Sequence, residues 1–129
     1  MTRFLLDTHR LLWWLADDPR LPAGVVERVR APDGEADVSQ VSLWELAIQR
    51  SLGRLEVELS DFEHQVSPVG FRWLPIRKAH LLEVAQLEQS GDHRDPFDRL
   101  LVCQSRVEPM LFLTADRQLQ RYGSTVHVV

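Results

Sequence analysis

Several features by which protein classes announce themselves are scarce here. There is one cysteine, Cys103, in 129 residues, which excludes an internal disulfide framework and a cysteine-based zinc site and suits a reducing cytosol. It sits in the apolar run Leu100-Leu101-Val102-Cys103, where it reads as a small core residue rather than a nucleophile. No apolar run approaches the ~18 residues a membrane span needs, and Met1-Thr2-Arg3 leads straight into an apolar stretch without a targeting pattern, so a cytoplasmic protein with no membrane partner is expected. Positive charge is short as well. The net charge of −4 runs against the basic surface usual in nucleic-acid binders. It does not exclude such a partner, because carboxylates that gather cations lower the formal count while the bound ions restore positive charge locally. Lysine is nearly absent: Lys78 stands against fourteen arginines, a bias that suits bidentate phosphate contacts but that genomic base composition would also produce. Repeats, linkers and low-complexity segments are lacking, and at 44% apolar content residues 1–129 are expected to form one domain.

What the chain does contain is alternation. Phe4-Leu5-Leu6 reads as a short buried strand, and Leu11, Leu12, Trp14 and Leu15 recur at the spacing of a helix face. Asp7 therefore falls at a strand-to-helix corner, the end of a strand at which ligands bind in open sheets flanked by helices. Leu21-Pro22 opens a second helix with proline in its first turn, Ala31 to Glu35 is a loop, and Ala36-Asp37-Val38-Ser39 is a plausible short strand. Ser42-Leu43-Trp44-Glu45 fits a capping box opening a helix that runs to about Leu52 and is closed by Gly53, which puts Glu45 in the first turn. After an extended connector through Leu55, Val57 and Leu59, Ser60-Asp61-Phe62-Glu63 is a second such box, its helix ended by Pro68 and Gly70. Phe71 to Ile76 predicts a strand and Arg77 to about Gln89 an amphipathic helix on which His80 is a surface or packing residue. A polar turn, Ser90-Gly91-Asp92-His93-Arg94, precedes a buried helix with Asp95 as its N-cap, Pro96 first and Asp98 third. Met110 to Thr114 repeats the opening pattern of apolar strand, small polar residues, then Asp116; a short helix stopped by Gly123 and a last strand, Thr125 to Val129, follow. Strands alternating with helices predict an α/β fold, a parallel sheet covered on both faces.

Each acid has a helix-capping explanation taken singly. Taken together, Asp7 and Asp116 end apolar strands, and Glu45 and Asp98 open helices packed near the same sheet edge if the crossovers are right-handed. Carboxylates so gathered repel one another unless a cation lies between them, and Mg²⁺ or Mn²⁺ with oxygen ligands and waters meets that need. Such a site activates water and stabilises charge on a phosphoryl group. No serine-histidine-aspartate set or reactive cysteine offers a rival mechanism.

Phe4-Leu5-Leu6-Asp7-Thr8-His9 with Leu12-Trp13, Ser39 to Ala47 followed by Gly53-Arg54-Leu55, His93 to Leu101, and Thr114-Ala115-Asp116 resemble the blocks of PIN-domain ribonucleases, and more narrowly those of VapC-type toxins of type II toxin-antitoxin pairs. The likeness spans the chain in the right order. It implies a PIN-like three-layer α/β/α domain with a central, mostly parallel sheet, and a Mg²⁺- or Mn²⁺-dependent endoribonuclease that cleaves RNA phosphodiester bonds. The acids carry over as Asp7, Glu45, Asp98 and Asp116, with Asp98 ranked ahead of Asp95 as the direct metal ligand. On this reading Asp7 and Asp98 hold the main ion, and Glu45 and Asp116 complete the site directly or through water. The resemblance also implies a homodimer and a cognate VapB-type antitoxin whose C-terminal segment occupies the active-site groove. Arg99 and His93 are candidates for phosphate contact or else ordinary surface residues, and Thr114 orients a ligand water or caps the last helix. Trp13 and Trp14 are adjacent, so both cannot face the core, and one is a candidate contact in the dimer or with the antitoxin. Two other readings stand beside this one: a receiver-like, magnesium-binding signalling domain, and a non-catalytic binding module whose acids only cap helices. The receiver needs a phosphoacceptor Asp ending a middle strand and a late lysine, neither of which is visible. No base-reading motif indicates which RNA is cut.

Overall fold

In a computed structural model the described residues are 1–89 and 95–129; the polar turn containing His93 lies outside them. The elements run β1 (Thr2–Leu6), α1 (Thr8–Leu15), α2 (Ala23–Arg30), β2 (Gly34–Ser39), α3 (Gln40–Ser51), α4 (Leu59–Val66), β3 (Arg72–Leu74), α5 (Lys78–Val84), α6 (Pro96–Val107), β4 (Leu111–Thr114), a 3₁₀ helix (Arg117–Tyr122) and β5 (Val126–Val128). The strands form one sheet in the order β3-β2-β1-β4-β5, with every neighbouring pair parallel. This is the α/β architecture that the alternation predicts, wholly rather than mostly parallel. Among the described residues no helix is long and apolar enough to cross a membrane.

Parallel strands covered on both faces need apolar side chains in successive positions, and Phe4, Leu5 and Leu6 in β1 supply them. Because successive side chains point to opposite faces, Leu5 joins a core cluster with Leu101, Val102, Phe112 and Tyr122, while Phe4 and Leu6 join a second with Leu11, Leu46, Phe62 and Leu113. α6 and the 3₁₀ helix cover one face; α1, α3 and α4 cover the other. The winding sets the position of the site. From β1 the chain steps outward to β2 and β3, then returns past β1 to add β4 and β5 on the other side. The reversal between β1 and β4 opens a crevice beyond their carboxyl ends, the place where such sheets bind ligands. The order also differs from the 2-1-3-4-5 arrangement of receiver-like domains, which removes that reading on topology.

Several sequence expectations shift. α3 is capped by Ser39, whose Oγ accepts from Val41 N at 2.9 Å, so the helix starts directly off β2 with no loop. Ser42 is then fully buried inside the helix, and Glu45 lies beyond the first turn rather than in a capping box. The Ser39 hydroxyl also donates to Gln104 Oε1 at 2.5 Å, tying the junction to α6; tertiary contact chose between two serines that local pattern could not separate. α4 likewise begins at Leu59 without a side-chain cap, ahead of Ser60, because Leu59, Phe62 and Val66 form its inward stripe. α2 starts one residue late, with Pro22 as N-cap. α5 ends at Val84, short of Gln89, and turns inward not Leu81 and Leu82, which are exposed, but His80, which is fully buried. His80 Nδ1 accepts from Arg77 N (3.0 Å) and Gln104 Nε2 (3.2 Å), so Nε2 carries the proton and donates to Glu108 Oε2 at 2.5 Å.

β2 starts two residues earlier than expected, at Gly34. A Cβ there would stand 2.5 Å from the Arg28 carbonyl oxygen and 2.7 Å from that of Val29, so only glycine lets the end of α2 lie this close. Gly34→Ala is expected to destabilise the fold by roughly 1–3 kcal/mol, the usual cost of forcing extra volume into a packed site, read as a lowered urea midpoint.

Candidate active site

Among the described residues the crevice beyond β1 and β4 is lined by five carboxylates, Asp7, Glu45, Asp95, Asp98 and Asp116, together with Thr8, His9, Arg10, Trp13, Thr114 and Ala115. Each acid reaches it from a short, well-anchored piece of backbone. Asp7 directly follows β1; its Oδ1 accepts from Arg10 N at 2.7 Å, capping α1, and its Oδ2 faces Ala115 N at 3.4 Å. Its own amide donates to the Leu113 carbonyl at 3.1 Å, so the two strand ends are locked together. Asp116 caps the 3₁₀ helix through Gln118 N at 2.9 Å, and its amide donates to Thr114 Oγ1 at 3.1 Å. Asp95 caps α6, with Oδ1 accepting from Phe97 N (2.9 Å) and Asp98 N (3.2 Å). Asp98 and Glu45 come from α6 and α3. Those helices are clamped beside the acids by an edge-on contact of the Trp44 and Phe97 rings, 4.7 Å between centroids, an arrangement aromatic pairs favour.

The acids act on one another. Burial and then the fields of Asp95, Glu45, Asp7 and Asp116 push the Asp98 carboxyl up to about 7. Burial also raises Glu45, with Asp95 and Asp7 adding to the shift and the Thr8 hydroxyl and His9 opposing it. The Arg10 side chain lines the same cleft: its Nη2 donates to the Val129 carbonyl oxygen, its guanidinium lies 5.3 Å from the Trp13 ring centre, and its buried Nε has no hydrogen-bond partner among the described residues. Among the described residues no three His, Cys, Asp or Glu side chains form a ready-made metal cage. The acids instead line the walls of an open cleft. Their hard oxygen donors fit a small divalent cation that keeps several of its waters, as Mg²⁺ does.

Arg99 does not fit the phosphate-contact role. Its side chain is buried, donating to the Glu88 carbonyl oxygen (3.2 Å) and the Tyr122 hydroxyl (2.9 Å). Neighbours on a helix point about 100° apart, so with Asp98 on the cleft, Arg99 is carried into the core beside Tyr122. His93 lies outside the described residues. Thr114 is buried in the cleft wall and supports the Asp116 amide. Of the adjacent tryptophans, Trp14 packs edge-on against Phe71, 5.1 Å between centroids. Trp13 faces the cleft with the Arg20 guanidinium 4.8 Å from its ring centre. Sequence reasoning missed Thr8, whose hydroxyl meets Glu45 Oε1 at 2.7 Å, and Ser42. The signal available was that Ser39, three residues ahead of Ser42, could cap α3 and release Ser42 for other work.

Because the Asp98 carboxyl titrates higher in the fold than in the unfolded chain, the native state binds the extra proton between the two values, and stability from this group falls as pH rises from about 4 towards about 7. Asp98→Asn is therefore expected to raise the melting temperature of metal-free protein at pH 8 and to leave it nearly unchanged at pH 4, measured by circular dichroism in the presence of a chelator.

The family model described as PIN domain matches residues 4–124. No curated protein matches the sequence. Solved structures similar in fold include VapBC2 from Rickettsia felis bound to a DNA fragment from their promoter, at 13% identity and a TM-score of 0.72 over 99% of this chain and 98% of that one. DNA-bound VapBC from Salmonella typhimurium matches at 17% identity and a TM-score of 0.66 over 99% and 98% of the two chains. A toxin-antitoxin complex from Klebsiella pneumoniae matches at 13% and 0.64 over 96% and 95%. At such identities the likeness establishes the fold, while the family match extends through all four acid-bearing blocks, and the chain belongs to the PIN domain family.

Proposed function

We propose that this protein is a VapC-type toxin, an endoribonuclease that cleaves RNA phosphodiester bonds in the cytoplasm with Mg²⁺ or Mn²⁺. The observation that carries the reading is the gathering of Asp7, Glu45, Asp98 and Asp116 around one cleft, where burial and then the neighbouring acids push Asp98 up to about 7. Helix capping accounts for Asp7, Asp95 and Asp116, which is the one observation favouring a non-catalytic module. Capping does not account for Glu45 and Asp98, the two acids whose ionisation the site opposes. Burial and neighbouring charge that together oppose ionisation of two acids in one cleft are typical of a functional site.

In this reading Asp7 and Asp98 hold the cation, Glu45 and Asp116 complete its surroundings directly or through water, and Asp95 stays behind them as the α6 cap. When bound, the ion supplies Lewis acidity towards water and neutralises charge that develops on the phosphoryl oxygens. The chain's own contribution is placement. Asp7 is immobilised by Arg10 N and faces Ala115 N, so its free lone pairs aim into the cleft at little further entropic cost. The acidic walls repel an RNA backbone until a cation is present, which makes substrate entry depend on the metal. The partners that the reading implies are a VapB-type antitoxin, supported by the toxin-antitoxin assemblies among the fold neighbours, and a second copy of the chain in a homodimer.

Cleavage of RNA by wild type in Mn²⁺ is expected to stop with chelator and to fall roughly 100-fold or more in Asp7→Asn and Asp98→Asn, the scale seen when a group stabilising transition-state charge is lost. Equal cleavage by all three proteins sinks the mechanism. Since a proton on Asp98 competes with the ion, Mn²⁺ affinity is expected to rise between pH 6 and pH 8, read by calorimetric titration. A module with merely structural acids instead shows no Mn²⁺-dependent rise in melting temperature.

A further inference from the structure

Thr8 and Ser42 lie 34 residues apart in sequence and meet beneath the cleft, with Thr8 Oγ1 2.9 Å from Ser42 Oγ and 2.7 Å from Glu45 Oε1. Ser42 is fully buried and Thr8 nearly so, at 6% exposure. A hydroxyl has one hydrogen, and an ionised carboxylate can only accept. With Glu45 ionised, as a carboxylate facing a bound cation must be, Thr8 spends its one proton on Glu45 and accepts from Ser42 in turn. The three groups form a one-way relay, from Ser42 to Thr8 to Glu45. Neither hydroxyl is a helix cap: α1 is capped by Asp7 and α3 by Ser39.

We infer that Thr8, backed by Ser42, is a positioning residue for the divalent-ion site: the relay holds the Glu45 carboxylate in one orientation at the cleft wall. The inference rests on the nuclease reading. Glu45 is on a long side chain emerging beyond the first turn of its helix, with no backbone amide among the described residues to orient it, whereas Asp7, Asp95 and Asp116 each accept from a backbone amide of the turn they open. Half-buried at the cleft wall, the carboxylate accepts from the Thr8 hydroxyl, and that bond fixes its rotamer. Second-layer hydrogen bonds of this kind commonly set ligand affinity by 10- to 100-fold.

The test compares wild type with Thr8→Val, Thr8→Ser, Ser42→Ala and the Thr8→Val/Ser42→Ala double variant, reading Mn²⁺ affinity by calorimetry, RNA cleavage in saturating Mn²⁺, and melting temperature. Thr8→Val, which keeps the shape and removes the hydroxyl, is expected to weaken Mn²⁺ binding about 10-fold or more, and Thr8→Ser to recover most of the loss. Ser42→Ala should show a smaller loss, and the double variant should be no worse than Thr8→Val, because a relay already cut at Thr8 has nothing left to receive from Ser42. Wild-type affinity in Thr8→Val, failure of Thr8→Ser to recover, or losses that multiply in the double variant each overturn the relay. Should Thr8→Val melt early, Ser42→Ala decides alone: unchanged Mn²⁺ affinity there overturns it. Absence of Mn²⁺ binding and cleavage in wild type would overturn the nuclease reading and this inference together, whereas full activity in wild type and Thr8→Val alike removes only the latter.

Discussion

Like charges do not gather without cause, and the mutual repulsion of five carboxylates at the reversal point of the sheet is the constraint that the rest of this molecule answers to. Asp7, Glu45, Asp95, Asp98 and Asp116 line one cleft, and Asp98, pushed up first by burial and then by the other four, favours its protonated form up to about 7. A domain of this size has a small stability margin, so such crowding persists only if the surrounding structure is stiff. Here β1 is the stiffening element. Its Phe4, Leu5 and Leu6 are buried in cores on both faces, and its neighbours β2 and β4 hold it in parallel register on either side.

Capping and chemistry are not competing explanations for the acids. Asp7, Asp95 and Asp116 open α1, α6 and the 3₁₀ helix respectively, so three helical N-termini converge on the cleft. Their amides carry partial positive charge, which offsets part of the repulsion as they donate to the capping carboxylates. Glu45 and Asp98 project from helices that the Trp44 and Phe97 rings hold together, and Glu45 also accepts from the Thr8 hydroxyl.

The errors of the sequence reading have a common physical origin. Ser42 and Ser60 both fit a capping pattern, yet α3 and α4 begin earlier, at Gln40 and Leu59. In the first case a strand residue, Ser39, was bonded to Gln104 some 65 positions away; in the second, the apolar stripe of Leu59, Phe62 and Val66 set the boundary. Arg99 looked available for phosphate because it follows Asp98, but one step along a helix turned it into the core beside Tyr122. Leu81 and Leu82 of the amphipathic pattern are exposed on α5 and His80 takes the buried side, since Gln104 on α6 and Glu108, its C-cap, satisfy both ring nitrogens.

Local order along the chain was enough to determine the alternation of strands and helices, the strand-end positions of Asp7 and Asp116, the α6 start at Asp95-Pro96, and the four blocks that resemble the PIN family. These follow from short-range periodicity and turn chemistry, which need no knowledge of distant partners. Only the tertiary structure decided that β4 lies beside β1, that α3 and α6 are pinned together so Glu45 and Asp98 share a cleft, and that Thr8 reaches Ser42 and Glu45. Those outcomes depend on contacts between segments separated by 34 to 108 residues, and no local pattern encodes which distant side chain will satisfy a buried polar group.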